Sequence, residues 1–231
     1  MPPENDAASA LILTFAHDLR VPLRSIVMTT QRIQRRPEEL SAEIKTKLEE
    51  ILAAARKQEE LIAAVVEYDQ SLHPGLSGDT PLALRLAIQT ACMKVDAYRQ
   101  ARGASITVDS EALPRVLVPS GISRVVEKVL HNSLKFQLAD IPPVVRVEAS
   151  QDADGRITIR VHDNGIGIES AYRTSVFEPF KRLNTAVEYP GSGLGLSICR
   201  RLLESIRGTI RIEDGAGAVL AISFPKWESA A

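Results

Sequence analysis

Between Ala7 and about Leu72, apolar residues recur at intervals near three and four, the signature of helices that each bury one side. Leu11, Phe15, Leu19, Leu23, Ile26, Met28 and Ile33 carry the first run. Leu40, Ile44, Leu48, Ile51, Leu52, Ala55, Leu61, Ile62, Val65 and Val66 carry the second. Arg35-Arg36-Pro37 stands between them, charged and with a helix breaker, and marks the connection. Glycine is absent from residue 1 through His73, which suits two uninterrupted helices. Two antiparallel helices leave an apolar stripe that a lone hairpin cannot bury. Packing on the second half of the same chain covers it, and so does pairing with a second copy as a four-helix bundle. The homodimer is the expectation adopted here.

The pattern changes at His73-Pro74-Gly75-Leu76-Ser77-Gly78-Asp79, a stretch rich in breakers. Residues 1–73 are therefore expected as a helical hairpin, 74–79 as a linker and 80–231 as a second domain. Thr80-Pro81 reads as a helix start, with the helix running to about Arg102 and stopping at Gly103. Short β-type runs follow at Ser105–Val108 and Arg115–Val118, then a helix from Ser120 to Leu138. Val144–Ala149 and Arg156–His162 alternate as strands around a turn signal, Asp154-Gly155. A long irregular stretch spans Asn164 to Pro190, Leu194–Ser205 is helical, and Thr209–Glu213 and Ala218–Phe224 close as a strand pair. The fold class is α+β, with three helices against one mixed sheet following the hairpin.

Composition adds limits rather than direction. The 231 residues are 45% hydrophobic and 25% charged, ordinary globular values. A formal net charge of −1 gives no general attraction to nucleic acid or anionic lipid. Cys92 and Cys199 lie far apart in helical patterns without metal-type spacing, so a reducing, cytoplasmic compartment is expected. The stretch from Ala8 to Ala16 is too short to span a bilayer and lacks a charged leader, so no membrane segment is expected.

Four short motifs carry chemistry. Asp163-Asn164-Gly165-Ile166-Gly167 ends a predicted strand, and Gly191-Ser192-Gly193-Leu194-Gly195-Leu196 opens a predicted helix. Such glycines let backbone N–H groups approach phosphates, and a helix N-terminus adds partial positive charge. Either pattern alone equally fits a plain turn beside a helix. Asn132 and Lys135 lie three apart on one helical face; an amide oxygen can hold Mg²⁺ while the lysine meets phosphate. A solvated polar face is the alternative. Phe177-Glu178-Pro179-Phe180-Lys181-Arg182 suggests a lid pinned by two phenylalanines, with Lys181 and Arg182 placed to reach a nucleotide.

In this order and spacing the four resemble the N, first glycine, F and second glycine boxes of histidine kinase catalytic domains. Those domains belong to the wider ATPase superfamily shared with Hsp90, gyrase B and MutL. The resemblance covers roughly Thr80 to Pro225 and is tightest at GSGLGLSICRRLL, Gly191 through Leu203. It implies a Bergerat-type sandwich binding ATP and Mg²⁺, with Asp163 on the adenine amino group, Asn132 on the metal and Lys135 on phosphate. Asn164 to Gly193 would form the lid, and Gly165, Gly167, Gly191, Gly193, Leu194 and Gly195 would line the nucleotide.

Phe15-Ala16-His17-Asp18-Leu19-Arg20-Val21-Pro22-Leu23-Arg24 is similar to the H box of phytochrome-like kinases. A histidine in a helix is by itself an ordinary surface residue. Beside the downstream boxes, the resemblance implies that His17 takes the γ-phosphate, with Asp18 orienting the ring and assisting proton removal. Pro22 clashes with the carbonyl of Asp18, so a kink is expected beside the acceptor. ATP would reach His17 by movement of the second domain on the Leu72–Asp79 linker. A homodimer and a response regulator receiver domain are the implied partners, with the signal supplied by a separate sensor domain or subunit.

Three departures from the family pattern stand out. Val21 replaces the Thr or Asn common four residues after the acceptor, which predicts weak phosphatase activity. Lys128 stands where a second Asn is frequent. Gly217-Ala218-Val219-Leu220 lacks the hydroxyl residues often found beside the adenine-binding Asp, which predicts weaker adenine binding. His131 and His162 adjoin motif residues and are read as structural. A phosphate relay whose second domain has lost ATP, and an ATP-driven clamp of the Hsp90 type, are the competing readings. The intact Asn132, Asp163 and glycines argue against the first, and His17 in its motif against the second.

Overall fold

The computed structural model describes residues 3–36, 38, 40–71, 80–185 and 188–227, with side chains from Ser9 onward. The chain forms two compact units, one of Met1–Gln70 with Pro190–Ser192, the other of Ser71–Tyr189 with Gly193–Ala231. The expected linker at 74–79 lies outside the described residues.

The first unit is a pair of long helices, α1 (Pro3–Gln34) and α2 (Ala42–Gln70). They run antiparallel, and the Ser9 hydroxyl at the start of α1 donates to Asp69 Oδ1 at the end of α2, 2.9 Å away. Buried positions on α1 fall seven apart, at Ser9, Ala16, Leu23 and Thr30. On α2, Leu48, Leu52, Ala55 and Asp69 are buried, and 48, 55 and 69 keep the same seven-residue frame. A strict seven-residue repeat is the mark of coiled-coil packing. The apolar run singled out by periodicity lies largely elsewhere. Leu11, Phe15, Leu19, Ile26, Met28 and Ile33 are 44–65% exposed, and of that run only Leu23 is buried.

The second unit has five strands in one mixed sheet. β2 (Ser105–Val108), β4 (Val144–Gln151), β5 (Arg156–Asp163), β7 (Val219–Pro225) and β6 (Thr209–Glu213) adjoin in the order β2-β4-β5-β7-β6. Only β2 and β4 run parallel; the other pairs are antiparallel. Helices α3 (Leu84–Ala101), α4 (Ile122–Lys135) and α5 (Gly195–Glu204) complete the layer. Alternation along the strands explains the sandwich. Val145 and Val147, Ile157, Ile159 and Val161, and Ile222 and Phe224 are fully buried against the helices. Full burial of one such side chain contributes roughly 1.5–3 kcal/mol. The intervening residues form an ion-paired outer face, with Arg160 to Glu213 at 2.8 Å and Arg146 to Glu148 at 2.9 Å. α4 is the central helix, with Ile122, Val125, Val126, Val129, Leu130 and Leu134 fully enclosed.

Several boundaries differ from expectation. Pro81 does not begin a helix: Pro81–Ala83 is a short strand, β1, paired antiparallel with β3 (Leu117–Pro119) in a second, two-stranded sheet. Proline has no N–H to lose at the start of an edge strand, so the same fixed φ that suits a helix start suits this ribbon. Helix α3 opens at Leu84, whose N–H donates to Val116 O at 3.0 Å. The helix expected over Ser120–Leu138 is shorter at both ends, and its C-terminal end is set by Phe136, which leaves the helical region at ψ 68°. Among the described residues, the stretch after β5 is irregular apart from two single turns at Ser170–Tyr172 and Ser175–Phe177.

Candidate active site

Asp163 is the last residue of β5, where strand pairing hands over to the glycine turn. Its backbone N–H donates to Ala218 O, and the Ala218 N–H donates back to Asp163 Oδ1, both at 3.0 Å. Gly165 N–H donates to the same Oδ1 at 3.0 Å. Oδ2 is left without a backbone donor among the described residues. Burial pushes the carboxyl up from its ordinary value, while Ala218, Gly165, Ser133 and the nearby His162 pull the other way. The closing strand thus meets this carboxylate with a backbone amide, not with a hydroxyl side chain. No residue type marks a backbone donor, so Ala218 had no signal in the sequence.

The first glycine turn is seated on the end of α4. A Cβ at Gly165 would lie 2.2 Å from Phe136 O, so no side chain fits there. Ile166 N–H donates to the same carbonyl at 3.1 Å. Gly167 packs against Gly217, its Cβ position 3.5 Å from the Gly217 carbonyl oxygen.

One turn back along α4, Asn132 is half-buried with Nδ2 3.9 Å from the Cβ position of Gly195, the first residue of α5. Asn132 and the second glycine motif thus meet. Lys135 Nζ lies 4.5 Å from the centroid of the Phe136 ring. Leu194 is fully buried and its carbonyl accepts from Ile198 N–H, which anchors the motif where α5 begins. Gly191, half-buried, leads the loop into it. Gly193 has φ +73°, and a Cβ there would lie 2.9 Å from the Phe180 carbonyl carbon. Glycine is required on both counts.

The segment between the glycine motifs is pinned at one phenylalanine, not two. Phe177 is buried, whereas Phe180 is 60% exposed and held at φ +62°, a conformation side chains rarely adopt. Arg182 reaches Tyr189, its Nη2 donating to that carbonyl at 3.0 Å. Among the described residues no side-chain hydrogen bond or ion pair joins Lys181 to this group, and Lys181 is exposed. Tyr189 and Gln137 were missed. The Tyr189 hydroxyl donates to Gln137 O at 2.8 Å, and its ring stands 5.1 Å from that of Phe136.

His17 and Asp18 lie together on α1, with Nδ1 3.2 Å from Oδ1 and side chains 78% and 68% exposed. Pro22 lies inside the same helix. His131 stacks on Tyr98 at 4.7 Å and His162 Nε2 pairs with Glu148 at 2.9 Å.

The donor set fits a magnesium nucleotide. Among the described residues no group of three or more His, Cys, Asp or Glu could hold a metal ion. A divalent ion at Asn132 would therefore share its shell with phosphate oxygens and water, the usual habit of Mg²⁺. No helix among the described residues is long and apolar enough to cross a membrane.

Comparison with known proteins gives this geometry a family. The model of the histidine kinase-, DNA gyrase B-, and HSP90-like ATPase family matches residues 117–228. The chain is 28% identical over 230 residues to cyanobacterial phytochrome A of a Nostoc species, covering 91% of this chain and 27% of that protein. It is 29% identical over 215 residues to the adaptive-response sensory kinase SasA of a Synechocystis species, covering 88% of this chain and 55% of that one. The chain thus spans about a quarter of the first relative's length and little over half of the second's. Full-length ShkA, solved in complex with AMPPNP, shares the fold at a TM-score of 0.72 and 22% identity, over 96% of this chain and 47% of that one. The mycobacterial sensor histidine kinase MprB aligns at a TM-score of 0.54 and 28% identity, over 64% of this chain and 97% of that structure. Residues 117–228 thus match the histidine kinase-, DNA gyrase B-, and HSP90-like ATPase family, and most of the chain is similar to a phytochrome and to a sensory kinase.

Proposed function

We propose that this chain is a histidine autokinase that moves the γ-phosphate of ATP to His17, and from there to an aspartate of a response regulator. The observation that carries the proposal is the Asp163 carboxylate. It is half-buried, loaded on Oδ1 by two backbone amides and backed by glycine turns. A carboxylate so held accepts the amino group of adenine. Asn132, Lys135 and the loop Gly191 to Gly195 supply the metal contact, a point charge and backbone N–H groups for the triphosphate. Mg²⁺, when bound, would neutralise charge on the phosphates.

At the acceptor, a neutral ring whose Nδ1–H donates to Asp18 keeps its lone pair on Nε2. Nε2 attacks the γ-phosphorus in line, an N–P bond forms, the bond to the β-phosphate oxygen breaks and ADP leaves. Asp18 stabilises the imidazolium character that develops on the ring. The exposed apolar side chains of α1, Leu11, Phe15, Leu19 and Met28 among them, support pairing with a second copy in a four-helix bundle. A cytoplasmic location, a separate sensor and a domain division near 74–79 belong to the same proposal.

Equilibrium binding of ADP tests the nucleotide half. The chain is expected to bind ADP more tightly with Mg²⁺ than without, and Asn132→Ala to abolish that difference. No uptake of adenine nucleotide at millimolar concentration would sink the proposal and leave at most a passive relay through His17.

A further inference from the structure

Ser133 follows Asn132 on α4 and is 2% exposed, yet among the described residues its hydroxyl has no partner in hydrogen-bond geometry. Buried hydroxyls without partners are uncommon, and each calls for a cause. The ordinary resolution for a hydroxyl in a helix is to donate back to the preceding turn. Other helical hydroxyls of this chain do so: Thr14 to Ala10 O at 2.9 Å, Thr30 to Ile26 O at 2.8 Å and Ser197 to Leu194 O at 2.8 Å. Ser133 does not.

Its surroundings show what it faces instead. Ser133 Oγ lies near enough to the Asp163 carboxylate to favour the charged form as a hydrogen-bond donor does, yet it falls short of hydrogen-bond geometry. One turn further along, Gln137 is 3% exposed and carries a second orphan, Oε1, with its amide nitrogen 3.2 Å from the Cβ position of Gly165. Both orphans therefore border the Asp163–Gly165 turn. An alanine at 133 would fill the same helix position with no orphan, so the hydrogen bond that the hydroxyl forgoes here is regained only in a state that uses it.

Resting on the ATP reading above, we propose that Ser133 is a positioning residue for purine recognition. Its hydroxyl turns onto the Asp163 carboxylate when a 6-aminopurine binds, fixes the carboxylate to accept the amino N–H, and so sets preference for adenine over 6-oxopurines. Rotation between staggered side-chain wells suffices, and no backbone movement is needed.

The test is calorimetric titration of the full chain with ADP and with inosine diphosphate, which differ in the amino or oxo group at C6. The wild-type chain is expected to prefer ADP. Ser133→Ala is expected to weaken ADP binding about fivefold, the scale of one hydrogen bond, while inosine diphosphate binding stays within error. Its melting temperature should equal or exceed that of the wild type, since an orphan hydroxyl is removed. A purely structural role would lower both affinities together and leave their ratio unchanged, and that result overturns the inference alone. A wild-type chain that binds neither nucleotide overturns the ATP reading and the inference with it.

Discussion

His17 Nδ1 lies 3.2 Å from Asp18 Oδ1, although consecutive residues of a helix point in different directions. In the proposed reaction this contact would set the tautomer, and the tautomer would decide which nitrogen is nucleophilic. Asp18→Asn keeps an acceptor for the ring proton but removes the charge that stabilises the developing imidazolium. Phosphoryl transfer in a single turnover at saturating ATP should slow by about 100-fold. ADP affinity, measured in parallel, should not move. Equal losses in both would assign Asp18 to the fold.

Val21 stands one turn after His17 and is 56% exposed. Its methyl groups cannot orient a water. Val21→Thr should raise dephosphorylation of a phosphorylated receiver domain severalfold with autophosphorylation unchanged. A rate of receiver dephosphorylation equal to that of the parent chain would remove Val21 from the account.

Asp163 carries a stability penalty through its burial. Burial raises its carboxyl, so the folded chain holds that proton more tightly than the unfolded chain. Stability therefore declines as pH rises from about 4, the unfolded carboxylate range, through the higher folded value. Asp163→Asn should melt higher than the wild type at neutral pH, and the gap should close near pH 4. The same variant turns an acceptor into a donor, so ADP binding should fall and inosine diphosphate binding should rise. Thermal melts across pH and the two titrations check both halves.

Gly165 separates packing from chemistry. The added methyl of Gly165→Ala would press on the Phe136 carbonyl at 2.2 Å. Overpacking of this kind costs about 1–3 kcal/mol or more. Urea unfolding should show that loss in the second unit. An alanine variant as stable as the parent would mean that the turn relaxes without holding the end of α4.

Much of this was legible in the sequence, for physical reasons. β2 and β6 fall at the predicted Ser105–Val108 and Thr209–Glu213 because a two-residue alternation against a helical layer admits one register. Asn132, Asp163, Gly165 and the second glycine motif announce themselves because phosphates and tight turns demand those residue types. Pro81 misled because one fixed φ serves both a helix start and an edge strand. The helical hairpin misled differently: three- and four-residue spacing finds a helix but not which side is buried, and the seven-residue frame of Ser9, Ala16, Leu23 and Thr30 contains only one large apolar residue. Ala218, which contributes a backbone N–H, and Ser133, whose place is set by the fold, carry no sequence signal at all.

The most direct measurement is incubation of the chain with magnesium and ATP labelled at the γ-phosphate, followed by mapping of the label. The expected result is an acid-labile, base-stable phosphoryl group on His17 that is absent from His17→Gln, while that variant binds ADP like the wild type. Label on another residue, or ATP hydrolysis that continues in His17→Gln with no phosphohistidine in the wild type, would contradict the account.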